Sequence, residues 1–191
     1  MGIPNKKFIS EEEYLEAERL STEKHEYFQG EIFAMSGASE NHNIIAINCT
    51  ADLRFKLKGK KCRPYGSDMR MNIPENTLYT YPDLNVYCDE IETLDDKFDT
   101  AKKPTIIIEI LSKSTRNYDQ GEKFALYREI PTIKEYILID SEKIKVILNT
   151  KTSNSSWSLN EFVSINDKFE IKSLEIEMNL LDIYEDVKFL K

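Results

Sequence analysis

The stretch PTIIIEILSKST, residues 104–115, decides the fold because it holds a central strand and the polar turn that follows it. A continuous run of β-branched residues is typical of a strand that is covered on both faces of a sheet. Glu109 stands in the middle of that run, where a lone carboxylate would lose most of its hydration. The sequence therefore predicts that Glu109 is paired with a cation, neutralised by a proton or bound to a metal ion.

The best partner for Glu109 is Asp83, in the segment YPDLNVY. Pro82 fixes the chain just before Asp83, and the alternation that follows places Asp83 on the face opposite the apolar residues. Two carboxylates on adjacent strands repel each other unless a cation lies between them, and the pair therefore predicts a site for Mg²⁺ or Mn²⁺. The alternative is structural: Asp83 caps a turn, and Glu109 forms an ion pair with a nearby lysine.

A polar segment, LSKSTRNYDQGEKFALY, follows the strand, and functional residues gather at such strand ends in open α/β sheets. Six of its side chains are candidates for contact with a phosphate: Lys113, Arg116 and Lys123 as cations, and Ser112, Ser114 and Thr115 as hydrogen-bond donors. The alternative for Lys123 is an ion pair with Asp119 one helical turn earlier, which would contribute roughly 0.3–0.5 kcal/mol.

The charge balance limits how the chain meets nucleic acid. Its 26 basic and 34 acidic residues give a net charge of −8, which opposes non-specific attraction to a polyanion. Any phosphate-binding surface must therefore be local. The densest basic stretch is RFKLKGKKCR, residues 54–63, which is either a solvated helix end, favoured by the helix dipole, or an edge that contacts phosphate.

Length and patterning predict one domain over residues 1–191, and the composition is that of a globular protein. No stretch approaches the roughly 20 apolar residues of a membrane span, and no apolar block follows Lys6 and Lys7 near the N-terminus, so we expect a cytoplasmic protein. The three cysteines have no metal-ligand spacing. We expect Cys49, Cys62 and Cys88 to be reduced thiols.

The order of elements predicts an α/β class with a mixed sheet and helices on both sides. A capping box begins a helix over 11–20, and two short strands follow around Gly30. A second helix over 42–58 carries an apolar stripe of the kind that faces a core, formed by Ile44, Ile47, Ala51 and Phe55. A third helix is expected over 120–129, with Phe124 and Tyr127 facing inward. A hairpin around residues 141–142, two further extended pieces and a closing turn of helix follow.

Five short motifs in order resemble one known family. They are YPDL (81–84), IIEILS (107–112), STRNYD (114–119), KFALY (123–127) and KEYILID (134–140). The array is similar to a bacterial family of putative restriction endonucleases, once described as a domain of unknown function, within the PD-(D/E)XK nuclease superfamily. HEYFQGEIFAMSGAS resembles the family's N-terminal hairpin, and His42 begins the next helix as the family's pattern does. The likeness covers about residues 8–185.

The resemblance implies a restriction-endonuclease-like mixed sheet core flanked by helices, with an N-terminal helix and hairpin and a C-terminal β extension. It implies a magnesium-dependent endonuclease that cleaves DNA as a homodimer. Asp83, Glu109 and Glu31 would hold the metal ion, while Glu26, Asp68 and His42 are further candidates for the site. Ser112, Lys113 and Arg116 would contact the nucleic acid.

One position departs from the family's pattern. The superfamily's motif lysine stands two residues after the second acid, and here that position is Leu111. Lys123 from the following helix would then supply the catalytic ammonium. The alternative is an impaired nuclease-like fold that binds nucleic acid or protein without cleaving it.

Overall fold

The structure, a computed structural model, describes residues 8–189. Lys6 and Lys7 lie outside the described residues, and a single domain over 1–191 stays a prediction. The helices are α1 (Glu11–Leu20), α2 (Glu40–Lys56), α3 (Arg116–Tyr118), α4 (Phe124–Tyr127) and α5 (Leu180–Ile183), and a π-helical segment (Asp119–Lys123) joins α3 to α4. The strands are β1 (His25–Phe28), β2 (Glu31–Ala34), β3 (Cys62–Gly66), β4 (Arg70–Ile73), β5 (Leu78–Thr80), β6 (Leu84–Cys88), β7 (Glu92–Thr93), β8 (Thr100–Lys102), β9 (Ile106–Leu111), β10 (Glu135–Asp140), β11 (Val146–Lys151), β12 (Trp157–Phe162), β13 (Lys168–Ile171) and β14 (Ile176–Asn179).

Two six-stranded sheets form the framework. The first has the order β12-β11-β10-β9-β6-β3, and only its β9–β10 pair is parallel. The second has the order β2-β1-β5-β4-β8-β7, and only its β4–β8 pair is parallel. Helices flank the sheets, and the β13–β14 hairpin follows them. The expected class is confirmed: an α/β fold with mixed sheets, an N-terminal helix and hairpin, and a C-terminal β extension.

Strand β9 is buried along its whole length, as its sequence predicts. Ile106, Ile108 and Ile110 pack in one apolar cluster with α2 and the C-terminal segment. Ile107 and Leu111 pack in a second cluster on the other side of the sheet. Because side chains alternate between faces along a strand, Glu109 shares the second face. It therefore points toward the helical segment after β9.

A cluster of three tyrosines fixes α1 to the second sheet. Tyr14 of α1 stacks on Tyr27 of β1, and both lie against Tyr79 of β5. The hydroxyl of Tyr14 also donates a hydrogen bond of 2.6 Å to the carbonyl oxygen of His25. The capping box expected at Ser10 is present and begins the helix. These contacts set the position of strand β1, which carries Glu26.

The prediction that the apolar stripe of α2 faces the core is wrong. The buried face is displaced from it by one or two residues and consists of Ile45, Cys49 and Leu53, continued by Leu57. Ile47 and Phe55 are instead exposed. The sequence is ambiguous here because apolar residues stand on both sides of this helix. Neither α2 nor any other helix within residues 8–189 is long and apolar enough to cross a membrane.

Two of the three cysteines were wrongly expected to be reduced. Cys62 of β3 and Cys88 of β6 form a disulfide bond, whereas Cys49 is a free thiol buried in the core. The two bonded residues are direct partners in the antiparallel β3–β6 ladder, with Cα atoms 3.9 Å apart. Their separation in sequence gave no sign of this register, which only the strand pairing establishes.

The helix predicted over 120–129 begins earlier and is not uniform. It runs from Arg116 to Tyr127 and contains the π-helical segment in its middle. Tyr127 is fully buried and Phe124 is half-buried, so both face inward as predicted. A π-helical turn rotates the side chains that follow it relative to a regular helix, and such turns are frequent at functional sites.

Candidate functional site

Asp83 and Glu109 are joined across the β6–β9 ladder. The register pairs Leu84 with Ile108, which extends to Asp83 opposite Glu109. The Asp83 backbone N–H donates to Oε2 of Glu109 at 3.3 Å, and the Ile110 backbone N–H donates to Oδ2 of Asp83 at 2.7 Å. The antiparallel pairing therefore holds the two carboxylates at one place on the sheet, as the sequence predicts.

Glu109 is not an unpaired charge among isoleucines. Its side chain is buried, and Oε1 accepts a hydrogen bond of 2.7 Å from the hydroxyl of Tyr127. The ammonium nitrogen of Lys123 lies 3.0 Å from the same oxygen. The buried carboxylate thus has two donors from the helical segment that covers it, and one of them is a cation.

Lys123 lies at the centre of an acidic cluster. Its Nζ atom is 3.0 Å from Oε1 of Glu26 and 3.9 Å from Oδ1 of Asp119, in addition to its contact with Glu109. The lysine is buried, and the surrounding carboxylates raise its pKa well above the usual value although burial alone would lower it. Its side chain therefore remains an ammonium ion at neutral pH.

The acids of the cluster carry more negative charge than the lysine offsets. Burial raises the pKa of Glu109, with the charges of Asp83 and Asp119 adding to the shift and that of Lys123 opposing it. Burial also raises the pKa of Asp119. Glu26 belongs to the same cluster, and the hydroxyl of Thr80 donates a hydrogen bond to it. Both shifts arise first from burial, and the charges of neighbouring carboxylates add to them.

His42, at the start of α2, completes the surroundings of Asp83. Its Nε2 atom lies 3.1 Å from Oδ2 of Asp83, while its Nδ1 atom is buried without a hydrogen-bond partner. Burial alone would lower the pKa of His42. The hydrogen bond to Asp83 and the charges of Asp83, Glu109 and Asp119 outweigh that effect, and the net pKa is raised.

The cluster lines a cavity of about 1390 Å³. Five acids or bases of the cluster line it together with His42: Glu26, Asp83, Glu109, Asp119 and Lys123. One wall is formed by residues 34–39 before α2, and another by residues 112–115 after β9. The site is therefore open to a ligand of considerable size.

Two of the three residues predicted to contact nucleic acid line this cavity. Ser112 and Lys113 belong to its wall, and Lys113 is exposed. Arg116 does not line it, because its guanidinium group is bound to Asp140 and, at 2.9 Å, to Glu142. The position of Arg116 in the sequence fits a contact with phosphate, but it fits an ion pair with a neighbouring element equally well.

Glu31 and Asp68 lie outside the residues that line the cavity. Glu31 is at the turn end of the β1–β2 hairpin, paired with Phe28, whereas Glu26 on the adjacent strand reaches Lys123. Asp68 is almost fully exposed and pairs with Lys24 at 2.6 Å. Of the hairpin's acids, the structure thus brings Glu26 rather than Glu31 to the cluster.

Three members of the site were not identified as such from the sequence. The sequence indicates Asp119 only as a helical partner of Lys123 and Tyr127 only as an inward-facing residue, and it gives no signal for Thr80. The spacing of Asp119 and Tyr127 from Lys123, four residues on either side, was the available signal. A helix places residues four apart on one face, so both could have been assigned to the surroundings of the lysine.

The donor set fits a hard divalent cation in its chemistry. Asp83 and Glu109 offer carboxylate oxygens, which Mg²⁺ and Mn²⁺ prefer. Within residues 8–189, however, no group of three or more His, Cys, Asp or Glu side chains is arranged to hold a metal ion. The Lys123 ammonium, 3.0 Å from both Glu26 and Glu109, occupies the space between the acids.

Comparison with known proteins gives consistent matches over nearly the whole chain. Residues 11–182 match the family Uma2, described as "Putative restriction endonuclease". Two uncharacterized proteins of Synechocystis sp. (strain ATCC 27184 / PCC 6803 / Kazusa) are each 35% identical to this chain. The match to slr1290 spans 181 residues, 95% of this chain and 94% of that protein; the match to sll1609 spans 176 residues, 92% and 99%.

A solved structure shares the fold. The crystal structure of a putative nuclease belonging to DUF820 from Anabaena variabilis matches with a TM-score of 0.72, covering 91% of this chain and 96% of that one. The two sequences are 16% identical, so the likeness concerns the fold alone.

Proposed function

Because the chain belongs to the Uma2 family of putative restriction endonucleases, we propose that it is a metal-dependent endonuclease that hydrolyses phosphodiester bonds in DNA. The observation that carries this proposal is the arrangement of Asp83, Glu109 and Lys123 in the cavity. Two carboxylates face each other across β6 and β9, and an ammonium ion touches one of them at 3.0 Å. These are the groups that cleavage of a phosphodiester needs.

Asp83 and Glu109 would hold Mg²⁺ or Mn²⁺, with Glu26 in the place that the sequence assigned to Glu31. The ion, when bound, would lower the pKa of a water molecule and polarise a phosphoryl oxygen. The protein positions the two ligands through the reciprocal backbone hydrogen bonds between the strands. His42 holds Asp83 from the other side at 3.1 Å and fixes its orientation.

Lys123 takes the role of the lysine that is missing at position 111. Leu111 is buried in the apolar cluster behind the site, where an ammonium ion would have no partner. Lys123 instead approaches the same acid from the helical segment. Its raised pKa keeps it charged, so it can stabilise the negative charge that develops on the phosphate in the transition state.

The rim of the cavity supplies the contacts to the DNA backbone. Lys113 is exposed there, and Ser112 presents its hydroxyl beside Ser114 and Thr115, with oxygen atoms 3.0 and 3.1 Å away. This surface is local, as a chain of net charge −8 requires. Arg116 has a structural role instead, because its guanidinium group binds Asp140 and so fixes the start of α3 to β10.

The test is a cleavage assay on single-stranded, duplex and branched DNA with Mg²⁺ or Mn²⁺. Asp83→Asn and Glu109→Gln should abolish cleavage, since each removes a charged ligand while keeping the side-chain shape. Glu122→Gln is the matched control, because Glu122 is an exposed acid next to Lys123 in sequence. Full activity in either of the first two variants would refute the proposal.

A second function, binding without cleavage, is favoured by one observation. The ammonium of Lys123 already offsets part of the acidic cluster, so the cluster can be maintained without a metal ion. Under this alternative, the chain binds nucleic acid or protein on the cavity rim. A rise in melting temperature with Mn²⁺ but no cleavage of any DNA form would support it, because metal binding to the folded state alone stabilises that state.

A further inference from the structure

Helix α2 exposes an apolar stripe along most of its length. Ile47 is 68% exposed and Phe55 is 78% exposed, and Ala51 between them is also exposed. Ile44, partly buried, extends the stripe toward the start of the helix. The spacing of three or four residues between neighbours places all of them on one side, as in the seam of a helix pair.

This stripe is not an ordinary scatter of surface apolar residues. Phe98 and Leu159 are exposed as well, but they lie in separate parts of the fold, on a loop and on an edge strand. The opposite face of α2 is already buried in the core. The C-terminal segment covers one side of α2, since the Asn48 side chain donates hydrogen bonds to the carbonyl oxygens of Ile183 and Glu185 at 3.1 and 2.9 Å. The apolar residues of the stripe therefore stay exposed, next to the polar residues Asn43 and Arg54.

Charged residues at the two ends of α2 have opposite signs. Glu40 begins the helix, Arg54 lies in its last turn and Lys58 lies just beyond its end, and all three are exposed. None of the three forms an ion pair within residues 8–189. A helix that is acidic at one end and basic at the other complements a copy of itself that runs in the opposite direction. The helix dipoles would also be antiparallel in such a pair.

We propose that α2 is a self-association surface, on which two copies of the chain pair their α2 helices antiparallel about a twofold axis. The axis passes between Ile47 and Ala51. Ile47 then packs against the partner's Ala51, where the small side chain admits the larger one, and Ile44 packs against the partner's Phe55. Glu40 comes opposite the partner's Lys58. An isologous contact of this kind is closed, so it ends at a dimer.

The pairing would combine two cavities in one particle. His42 lines the cavity and lies seven residues before the axis, so two such residues lie about 21 Å apart along the helix pair. The association depends on the exposed stripe and not on catalysis. A single helix pair buries an area at the low end of protein interfaces, so the dimer should dissociate on dilution.

Sedimentation velocity of the full chain over a hundredfold range of concentration tests the pairing. The wild type should pass from monomer to dimer as concentration rises. Phe55→Asp should raise the dissociation constant at least ~100-fold, because it removes an aromatic anchor twice per dimer. Phe98→Asp is the matched control, since Phe98 is 70% exposed on a different surface, and it should leave association unchanged. At concentrations where the wild type is monomeric, both variants should keep its melting temperature.

A charge exchange tests the antiparallel register. Glu40→Lys and Lys58→Glu should each weaken the dimer roughly tenfold, and the double variant should restore it to within about threefold of wild type. A wild type that is monomeric throughout would overturn the proposal. So would equal effects of Phe55→Asp and Phe98→Asp, or no restoration in the double variant. Binding of a monomeric chain to vesicles of anionic phospholipid, lost in Phe55→Asp, would assign the stripe to a membrane instead.

Discussion

The Nζ atom of Lys123 lies 3.0 Å from Oε1 of Glu109, so the buried acid of the central strand and the ammonium of the next helix form one charged unit. This contact explains how β9 carries a carboxylate among isoleucines. It also brings together two interpretations of Glu109 that looked exclusive in the sequence, a structural ion pair and a functional acid. In the proposed enzyme, the ion pair keeps the site folded and charged before substrate arrives.

The first prediction concerns Lys123→Met. Removing one partner of a buried ion pair leaves the other charges uncompensated, so the free energy of unfolding should fall by about 3 kcal/mol or more at neutral pH. Cleavage should fall at least ~100-fold, since the substitution removes the only cation in contact with Glu109 within residues 8–189. Urea unfolding and the DNA cleavage assay measure the two effects.

Lys113→Met is the control for this prediction. Lys113 is exposed on the cavity wall, so its loss should change the free energy of unfolding by less than about 0.5 kcal/mol. It should weaken DNA binding and reduce the dependence of that binding on salt. If Lys123→Met has the same free energy of unfolding as Lys113→Met, the buried ion pair does not stabilise the folded chain, and the prediction is wrong.

The second prediction concerns the metal ion. If Asp83 and Glu109 bind Mn²⁺ in the folded state only, a concentration about 100 times the dissociation constant should stabilise the chain by about 2.7 kcal/mol. Thermal unfolding with and without Mn²⁺, followed by chelation, measures this. The shift should disappear in Asp83→Asn and persist in Glu122→Gln. An equal shift in Asp83→Asn would place the metal elsewhere.

Local patterns were enough to predict the elements that carry the site. The run around Glu109 could be assigned to a strand buried on both faces because β-branched residues occupy both faces of it. The partnership with Asp83 followed from two acids on neighbouring strands. What could not be predicted was which acid of the hairpin reaches the site. Glu26 and Glu31 lie on adjacent strands, and their distance from Lys123 depends on how the two sheets pack.

The other differences also arise from long-range contacts. Arg116 was assigned to phosphate because of its neighbours in sequence, but Asp140 on β10 takes its guanidinium group. The disulfide between Cys62 and Cys88 depends on the register of two strands. On α2, Leu53 is buried and Phe55 is not, because the sheet and the C-terminal segment pack against the side of the helix that carries Leu53.

The third prediction concerns pH. Arg19 donates to both oxygens of Asp99, at 2.7 and 3.2 Å, and lowers the pKa of Asp99 to about 2. A lowered folded-state pKa contributes stability above the unfolded-state pKa of about 3.9, and this contribution is lost as pH falls toward 2. Because the Asp99 side chain is 34% exposed, solvent screening reduces the effect to about 1 kcal/mol.

Asp99→Asn tests this contribution. The variant should be less stable than wild type at pH 7 and pH 5, and the difference should shrink as pH falls below 3. Urea unfolding at several pH values measures it. Asp96→Asn serves as a control, because Asp96 stands nearby in sequence but has no ion pair within residues 8–189. A difference for Asp99→Asn that does not change with pH would mean that shape, and not charge, is responsible.

The fourth prediction concerns the disulfide between Cys62 and Cys88. The bond closes a loop with a sequence separation of 26, and the chain-entropy relation gives about 3.5 kcal/mol of stabilisation for a loop of this length. A reducing agent should therefore lower the wild-type melting temperature. It should have no effect on the double variant Cys62→Ser, Cys88→Ser, which should already unfold near the temperature of the reduced wild type.

Cys49 remains as the free thiol in both proteins, and because it is buried in the core it should not react with a thiol reagent in the folded state. Two reactive thiols in the folded, unreduced wild type would show that the bond does not form.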